Sequence, residues 1–224
     1  MVLPFFVAFA GFYFSYWSKL SEVPFHQHLH GLTATAWYLL LIIQPWLFHQ
    51  KNLKLHRQVG FVGLFLAGGV VFSALQIVPN NIGNENLSTV LQYGLTWIDF
   101  MVILGFSSSI ILAMLNSNNL PVHGRYMISS AFWALIPALS RLIYFPMIMT
   151  TGFPAPISFI AVIYISIAAC VAAVGVLIWL DFRSENKVYR PYLLVIAGTL
   201  FYGLTFVYMG EAAWWIDFCN SIKS

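Results

Sequence analysis

The chain has 224 residues, of which 60% are hydrophobic and 8% charged, with a mean hydropathy of +0.82. Soluble domains carry about 25% charged residues, so this composition cannot cover a water-facing surface. It reads as one integral membrane domain over residues 1–224, and the net charge of +3 gives no ground for nucleic-acid binding, because the basic residues stand in short turns and form no stripe.

Uncharged or nearly uncharged runs close to the length that crosses about 30 Å of hydrocarbon recur along the chain. There are seven, at residues 2–17, 31–48, 59–78, 88–115, 126–149, 157–180 and 192–215. The expected fold is therefore all-α, a seven-transmembrane-helix bundle. The first run holds Ala8-Phe9-Ala10, which imitates a signal-peptide cleavage site. No basic region precedes it and the apolar stretch continues to Tyr16-Trp17, so it reads as an uncleaved, short first helix. The connectors SKLSEVP, HQKNLKLHR, PNNIGNENLS, NSNNLPVHGR, TGFPAP and DFRSENKVYRP are polar or carry proline and glycine. Pro45 and Pro137 fall inside spans, where each is expected to produce a kink.

Lys51, Lys54, Arg57, Arg125, Arg183, Lys187 and Arg190 follow the second, fourth and sixth spans, whereas the opposite side holds Lys19 and Lys223. The positive-inside rule then places the N-terminus in the cytoplasm and the C-terminus outside. The expected location is a cell's inner (plasma) membrane, with the lipid bilayer as the first partner.

Two turns on the basic side share a pattern. Asn52-Leu53-Lys54-Leu55-His56 and Asn119-Leu120-Pro121-Val122-His123 both lead straight into a span, which pairs spans two and three with spans four and five as related hairpins. A wider set of residues carries a resemblance: His28 or His30 ahead of Gln44, then HRQVG from His56 to Gly60, then HGRYM from His123 to Met127 with Arg141 further on. This set resembles an uncharacterised family of bacterial multi-pass membrane proteins, in which HRxxG follows one helix and HRRWM, with a later arginine near a proline, follows another. The likeness covers about residues 26–146. It departs at Gly124, where the family has arginine, and at Tyr126, where it has tryptophan. It implies a multi-pass membrane protein and no assigned activity. A more distant, architectural likeness is to the four-helix di-haem cytochrome b reductases, whose ligands pair alternate helices.

Asp99, Arg141 and Glu211 are the ionisable residues inside spans and away from their ends. Each costs on the order of 2.5–3.5 kcal/mol at the bilayer centre, so each should face the bundle interior and seek a partner. At a rise of about 1.5 Å per residue, Asp99 and Arg141 belong to the same half of the bilayer on consecutive spans. The spacing predicts an Asp99–Arg141 ion pair, a structural clamp.

The histidines divide between the two interfaces. In a helix His26 and His30 share a face at i, i+4, a spacing that can chelate a transition metal, while His28 points elsewhere. In an extended segment all three face one way, and in either case Asp99 or Glu211 could add a carboxylate ligand. The plainer reading is hydrogen bonding to headgroups or loop carbonyls. On the basic side His56 and His123 open alternate helices at matching depth. They could ligate one haem b while Arg57 and Arg125 neutralise its propionates, or else cap helices and touch lipid phosphate. Trp97, Trp133, Tyr144 and Trp214 could wall a site for a flat ligand. Cys170 and Cys219 lie at depths too different for a disulfide.

Three functional readings follow. The first is a membrane redox or metal-dependent protein with a histidine-based haem b or metal site. The second is a transporter or small-ligand-binding protein in which Asp99, Arg141 and Glu211 line a polar cavity. The third is an accessory subunit of an oligomer or larger membrane complex. Whether the chain is an enzyme, and on what substrate, stays open at this level.

Overall fold

The computed structural model describes residues 1–223. Nine helices follow one another in it: α1 (Val2–Gly11), α2 (Phe25–His49), α3 (Leu53–Ile77), α4 (Thr89–Leu115), α5 (Leu120–Trp133), α6 (Leu135–Thr151), α7 (Phe159–Glu185), α8 (Arg190–Glu211) and α9 (Ala213–Lys223), with 3-10 turns at Trp17–Lys19 and Val78–Asn80. No strand occurs among the described residues.

Among these residues six stretches are long and apolar enough to cross a membrane, so the protein is a polytopic helical membrane bundle. Of the seven expected spans, the first falls short of spanning length among the described residues and the last ends earlier than expected. At one end α1 has only 10 helical residues, about 15 Å at the usual rise, half of a hydrocarbon core. At the other, the last span stops at Glu211 and the chain turns into a separate short helix, α9.

Side-chain caps fix where several spans begin. Ser88, Ser158, Asn52 and Asn119 each accept from a backbone N–H three residues on, at 3.2–3.5 Å. Chain reversal between α7 and α8 uses Asn186 in the left-handed region, φ 52°, which asparagine tolerates better than most residues.

Pro45 stays within α2, as expected. Pro137 does more than kink its span: the helix is interrupted at Ala134, and α5 and α6 are two pieces of one crossing. A proline lacks the N–H that would bond the residue four positions earlier, and its ring crowds that residue's carbonyl. The carbonyls freed near the break find side chains from other helices. Tyr38 of α2 donates its hydroxyl to the Ala131 carbonyl (3.0 Å), and the Cys170 thiol of α7 lies 3.7 Å from the Phe132 carbonyl. Trp37 adds an indole N–H to Ser130 Oγ at 3.1 Å.

The core is layered around α4, which packs on α8, α5, α3 and α9. Small residues set the α4–α8 distance: a Cβ on Gly94 would stand 2.7 Å from the Phe206 carbonyl oxygen, and one on Gly210 would stand 2.4 Å from that of Val90. Trp133 fills the space where α4, α5 and α8 meet. Its ring lies where Cβ atoms on Gly105 and Gly198 would each come within 2.3 Å, and its N–H donates to Ser109 Oγ at 3.0 Å. The lipid-facing exterior is apolar, with Leu104, Ile111, Phe201 and Leu204 all exposed.

Trp133 is 7% exposed and Trp214 60%. Trp133→Ala is therefore expected to cost about 3–5 kcal/mol, read as a lower midpoint in SDS-titration unfolding, whereas Trp214→Ala should leave the midpoint nearly unchanged.

Candidate functional site

A cavity of about 470 Å³ opens inside the bundle, bordered by α1, α2, α3, α4 and α6 and by the turn after α3. Most of its wall is aromatic or aliphatic. Phe5, Phe9 and Phe12 come from α1 and the turn after it, Trp37 and Tyr38 from α2, Phe106 from α4, and Trp17 closes one corner. Small side chains, Ala34 of α2 and Ala134 at the break in the fifth span, leave the room.

The polar part of the wall includes His30, Asp99, Arg141, Asn80, Asn81 and Ser15, and its imidazole, carboxylate and guanidinium are the first three of these. Asp99 is reached from the turn following α3, whose Asn81 donates to Asp99 Oδ2 at 2.8 Å. That turn dips into the bundle, burying Val78 and Ile82, so an asparagine that looks like loop in the sequence becomes a partner for a carboxylate within a span. Arg141 donates to the Pro137 carbonyl at 2.9 Å and lies over the Phe12 ring, 5.0 Å from its centre. His30 Nδ1 lies 3.2 Å from Ser73 Oγ. Ser73 sends its own proton to the Val70 carbonyl (3.0 Å), so the network assigns His30 as the donor and leaves its Nε2 a lone pair. Ser15 Oγ is buried and has no hydrogen-bond partner among the described residues.

Asp99 and Arg141 thus share one site, but the direct ion pair expected between them is absent among the described residues; the only ion pairs join Arg125 to Asp181 and Glu185. Asn81 and the Pro137 carbonyl hold the two charged groups separately, and both remain on the cavity wall.

The histidine triplet does not converge. Residues 25–30 are helical, and each imidazole takes a different partner: His26 pairs with Asn80 (3.4 Å), His28 with the Tyr16 hydroxyl (3.3 Å) and His30 with Ser73. Of the three only His30 borders the cavity. Glu211 is exposed at the end of α8 and stands outside it. No group of three His, Cys, Asp or Glu placed to hold a metal ion occurs among the described residues. Both cysteines are free and buried, and burial pushes the Cys219 thiol up to about 11.

On the basic face His56 and His123 serve their own hairpins. His56 Nδ1 donates to the Gln44 carbonyl at 3.2 Å while Gln44 Nε2 donates back to the His56 carbonyl at 3.2 Å; His123 Nδ1 donates to the Ala113 carbonyl at 2.9 Å. In both turns the asparagine caps the new helix and the histidine four residues later ties it to the preceding one, which explains the shared Asn-Leu-x-x-His pattern. Neither imidazole borders the large cavity.

Arg57 is exposed. Arg125 engages four of its five donors: Nε and one terminal nitrogen grip Asp181, that nitrogen also reaches Glu185 at 2.7 Å, and the other donates to the Pro121 carbonyl at 3.0 Å. Its guanidinium stacks 3.7 Å over the Tyr189 ring, and the Tyr189 hydroxyl donates to Glu185. That bond to a carboxylate raises the Tyr189 pKa above the usual phenol range. The clamp ties α5 to α7 and to the turn before α8. Sequence reasoning missed it, although Asp181 and Glu185 at i, i+4 on one helix face were the available signal.

The aromatic wall also differs from expectation. Trp97 donates to Thr205 at 3.0 Å, Trp133 is in the α4–α8 core, Tyr144 rests on Phe159 with ring centres 4.8 Å apart, and Trp214 is exposed. None of them borders the cavity.

Comparison with family models, with curated proteins and with solved structures finds no match for this chain. The resemblance carried by the turn motifs therefore stands on those motifs alone.

Arg125 and Asp181 are largely shielded, with side chains 13% and 16% exposed. Arg125→Ala leaves two carboxylates without their cation, and a loss of about 1.5–3 kcal/mol is expected for the hydrogen bonds to charged groups. A double-mutant cycle with Asp181→Asn, followed by SDS-titration unfolding, should show strong coupling between the two positions.

Proposed function

We propose that this chain is a membrane-embedded binding protein whose bundle cavity receives a small amphiphilic molecule. The observation that carries the reading is the set of ionisable groups on one cavity wall: His30, Asp99 and Arg141 come from three different helices and do not quench one another by direct contact. Each charge inside a span costs on the order of 2.5–3.5 kcal/mol. A fold that needed only a clamp would close Asp99 on Arg141, as it closes Arg125 on Asp181 at the basic face.

The volume, about 470 Å³, falls within the range of roughly 300–1,000 Å³ typical of small-molecule sites. The wall chemistry selects the occupant. An apolar body packs against Phe5, Phe9, Phe12 and Phe106, and a polar head accepts from Arg141 and donates to Asp99 or to His30 Nε2. Ser15 Oγ supplies one more polar contact at the same wall. By the positive-inside rule the asparagine-rich turn and the polar wall lie toward the outside, so the ligand is taken from that side of the membrane or laterally from its lipid. Binding is the activity proposed; carriage across the bilayer would need a second conformation.

Trp17 and Trp37 border the cavity, so their emission reports its filling. With the protein in lipid nanodiscs, a panel of medium-chain amides, alcohols and carboxylic acids should include at least one that gives a saturable emission change. Ala34→Phe, which fills the cavity, should abolish it. Arg141→Gln should weaken it by about tenfold or more, the loss of a hydrogen bond to a charged group. A response absent across the panel, or unaffected by Ala34→Phe, would overturn the reading.

A further inference from the structure

We propose a second site, independent of the large cavity, at the basic face: a cleft that binds the phosphate group of an anionic phospholipid. The cleft, of about 400 Å³, lies between the end of α4, the start of α5 and the turn before α8, and is bordered by Asn116, Val122, Tyr126, Tyr189, Arg190 and Pro191.

Four features of different origin converge on it. Tyr126 is only 8% exposed, yet its hydroxyl makes no hydrogen bond among the described residues, and the open space beside it is this cleft. The ring is packed while the hydroxyl is not closed off from solvent, so the phenol is open to an acceptor or donor that enters the cleft. Arg190 borders the same space, is exposed, and has no carboxylate partner among the described residues. It is also the first residue of α8, a helix of 22 residues whose N-cap, Tyr189, supplies no side-chain cap. Pro191 at the second position of α8 has no N–H, so the helix contributes the positive end of its dipole and the Arg190 N–H beside the guanidinium. Asn116 uses Nδ2 on the Leu112 carbonyl at 2.8 Å, and the second proton of that amide is left for a further acceptor.

The nearby carboxylates do not oppose an anion. Asp181 and Glu185 are held by Arg125, and Glu185 also takes the Tyr189 hydroxyl. Arg183 stands in the last turn of α7 and Lys187 in the connector after it, so the surroundings carry net positive charge. The Arg125–Glu185–Tyr189 contacts fix the residue that precedes Arg190, so the first turn of α8 is presented in one position. A guanidinium, the Arg190 N–H, a phenol and an amide together suit the several acceptor oxygens of a phosphate group. The setting favours lipid as its source. The cleft sits where spans end and headgroups lie, and Val188, Leu193 and Leu194, exposed within one turn of Arg190, offer apolar surface for an acyl chain.

Native mass spectrometry of the delipidated chain in mild detergent tests this, with phosphatidylglycerol or phosphatidylcholine added back. Phosphatidylglycerol should be retained in preference, and Arg190→Ala and Tyr126→Phe should each lower its retention by about fivefold, whereas Arg183→Ala, equal in charge change but outside the cleft, should alter it by less than about twofold. Tyr126→Phe keeps the packed ring, so its result stands even if Arg190→Ala disturbs insertion. In a second arm inorganic phosphate competes. Displacement of lipid with the same dependence on Arg190 and Tyr126 supports the phosphate site and shows that a soluble source also reaches it. Equal retention of both lipids means that the cleft does not select an anionic headgroup, and a loss with Arg183→Ala as large as with Arg190→Ala means diffuse charge attraction; either result overturns the proposal.

Discussion

In hydrocarbon there is no water to satisfy a backbone carbonyl, so every break in a helix must be repaired by the protein itself. This chain places such a break inside a span, at Ala134, and Tyr38 and Cys170 from two other helices reach the carbonyls of Ala131 and Phe132 just before it. The repair lets one crossing change partners halfway. Its first piece, α5, packs on α4 and α8, while its second, α6, packs on α1 and α7. The cavity borders this point of divergence, with Ala134, Pro137 and Arg141 on its wall, and the ten-residue α1 covers the space from the other side.

Two arginines in the same split span show how differently a charge can be treated. Arg125, near the interface, is matched to two carboxylates and an aromatic face, and four of its five N–H donors are engaged within the protein. Arg141, deeper, has one carbonyl and one ring as neighbours and keeps part of its guanidinium on the cavity. The first arrangement stabilises the bundle. The second leaves electrostatic attraction unspent, and the functional reading rests on that contrast.

The helical membrane class was legible because composition and run length alone forbid other solutions, and the depth argument correctly brought Asp99 and Arg141 to one level. The sequence could not reveal that Asn81 would leave its turn and fold inward to Asp99, since asparagine-rich connectors ordinarily lie at the surface. It also overstated the histidine triplet, because proximity in sequence says nothing about which neighbours each ring will meet. His26, His28 and His30 are drawn apart by Asn80, Tyr16 and Ser73, which come from 54, 12 and 43 positions away. The first apolar run was counted as a span because hydropathy continues past Gly11, although the helix does not. Conversely, the faint repeat between the two basic turns proved to have a shared local geometry, since the asparagine caps and the histidine ties are set by residues close in sequence.

Those two histidine ties limit how the molecule can change shape. Each fastens the start of one helix to a carbonyl on its predecessor, at Gln44 in the α2–α3 hairpin and at Ala113 in the α4–α5 hairpin. Axial sliding of either helix past its mate by even one turn would sever the tie. Under the binding function proposed above, a guest would then enter by hairpins tilting as rigid levers about their basic-face turns, with the asparagine-rich end swinging widest.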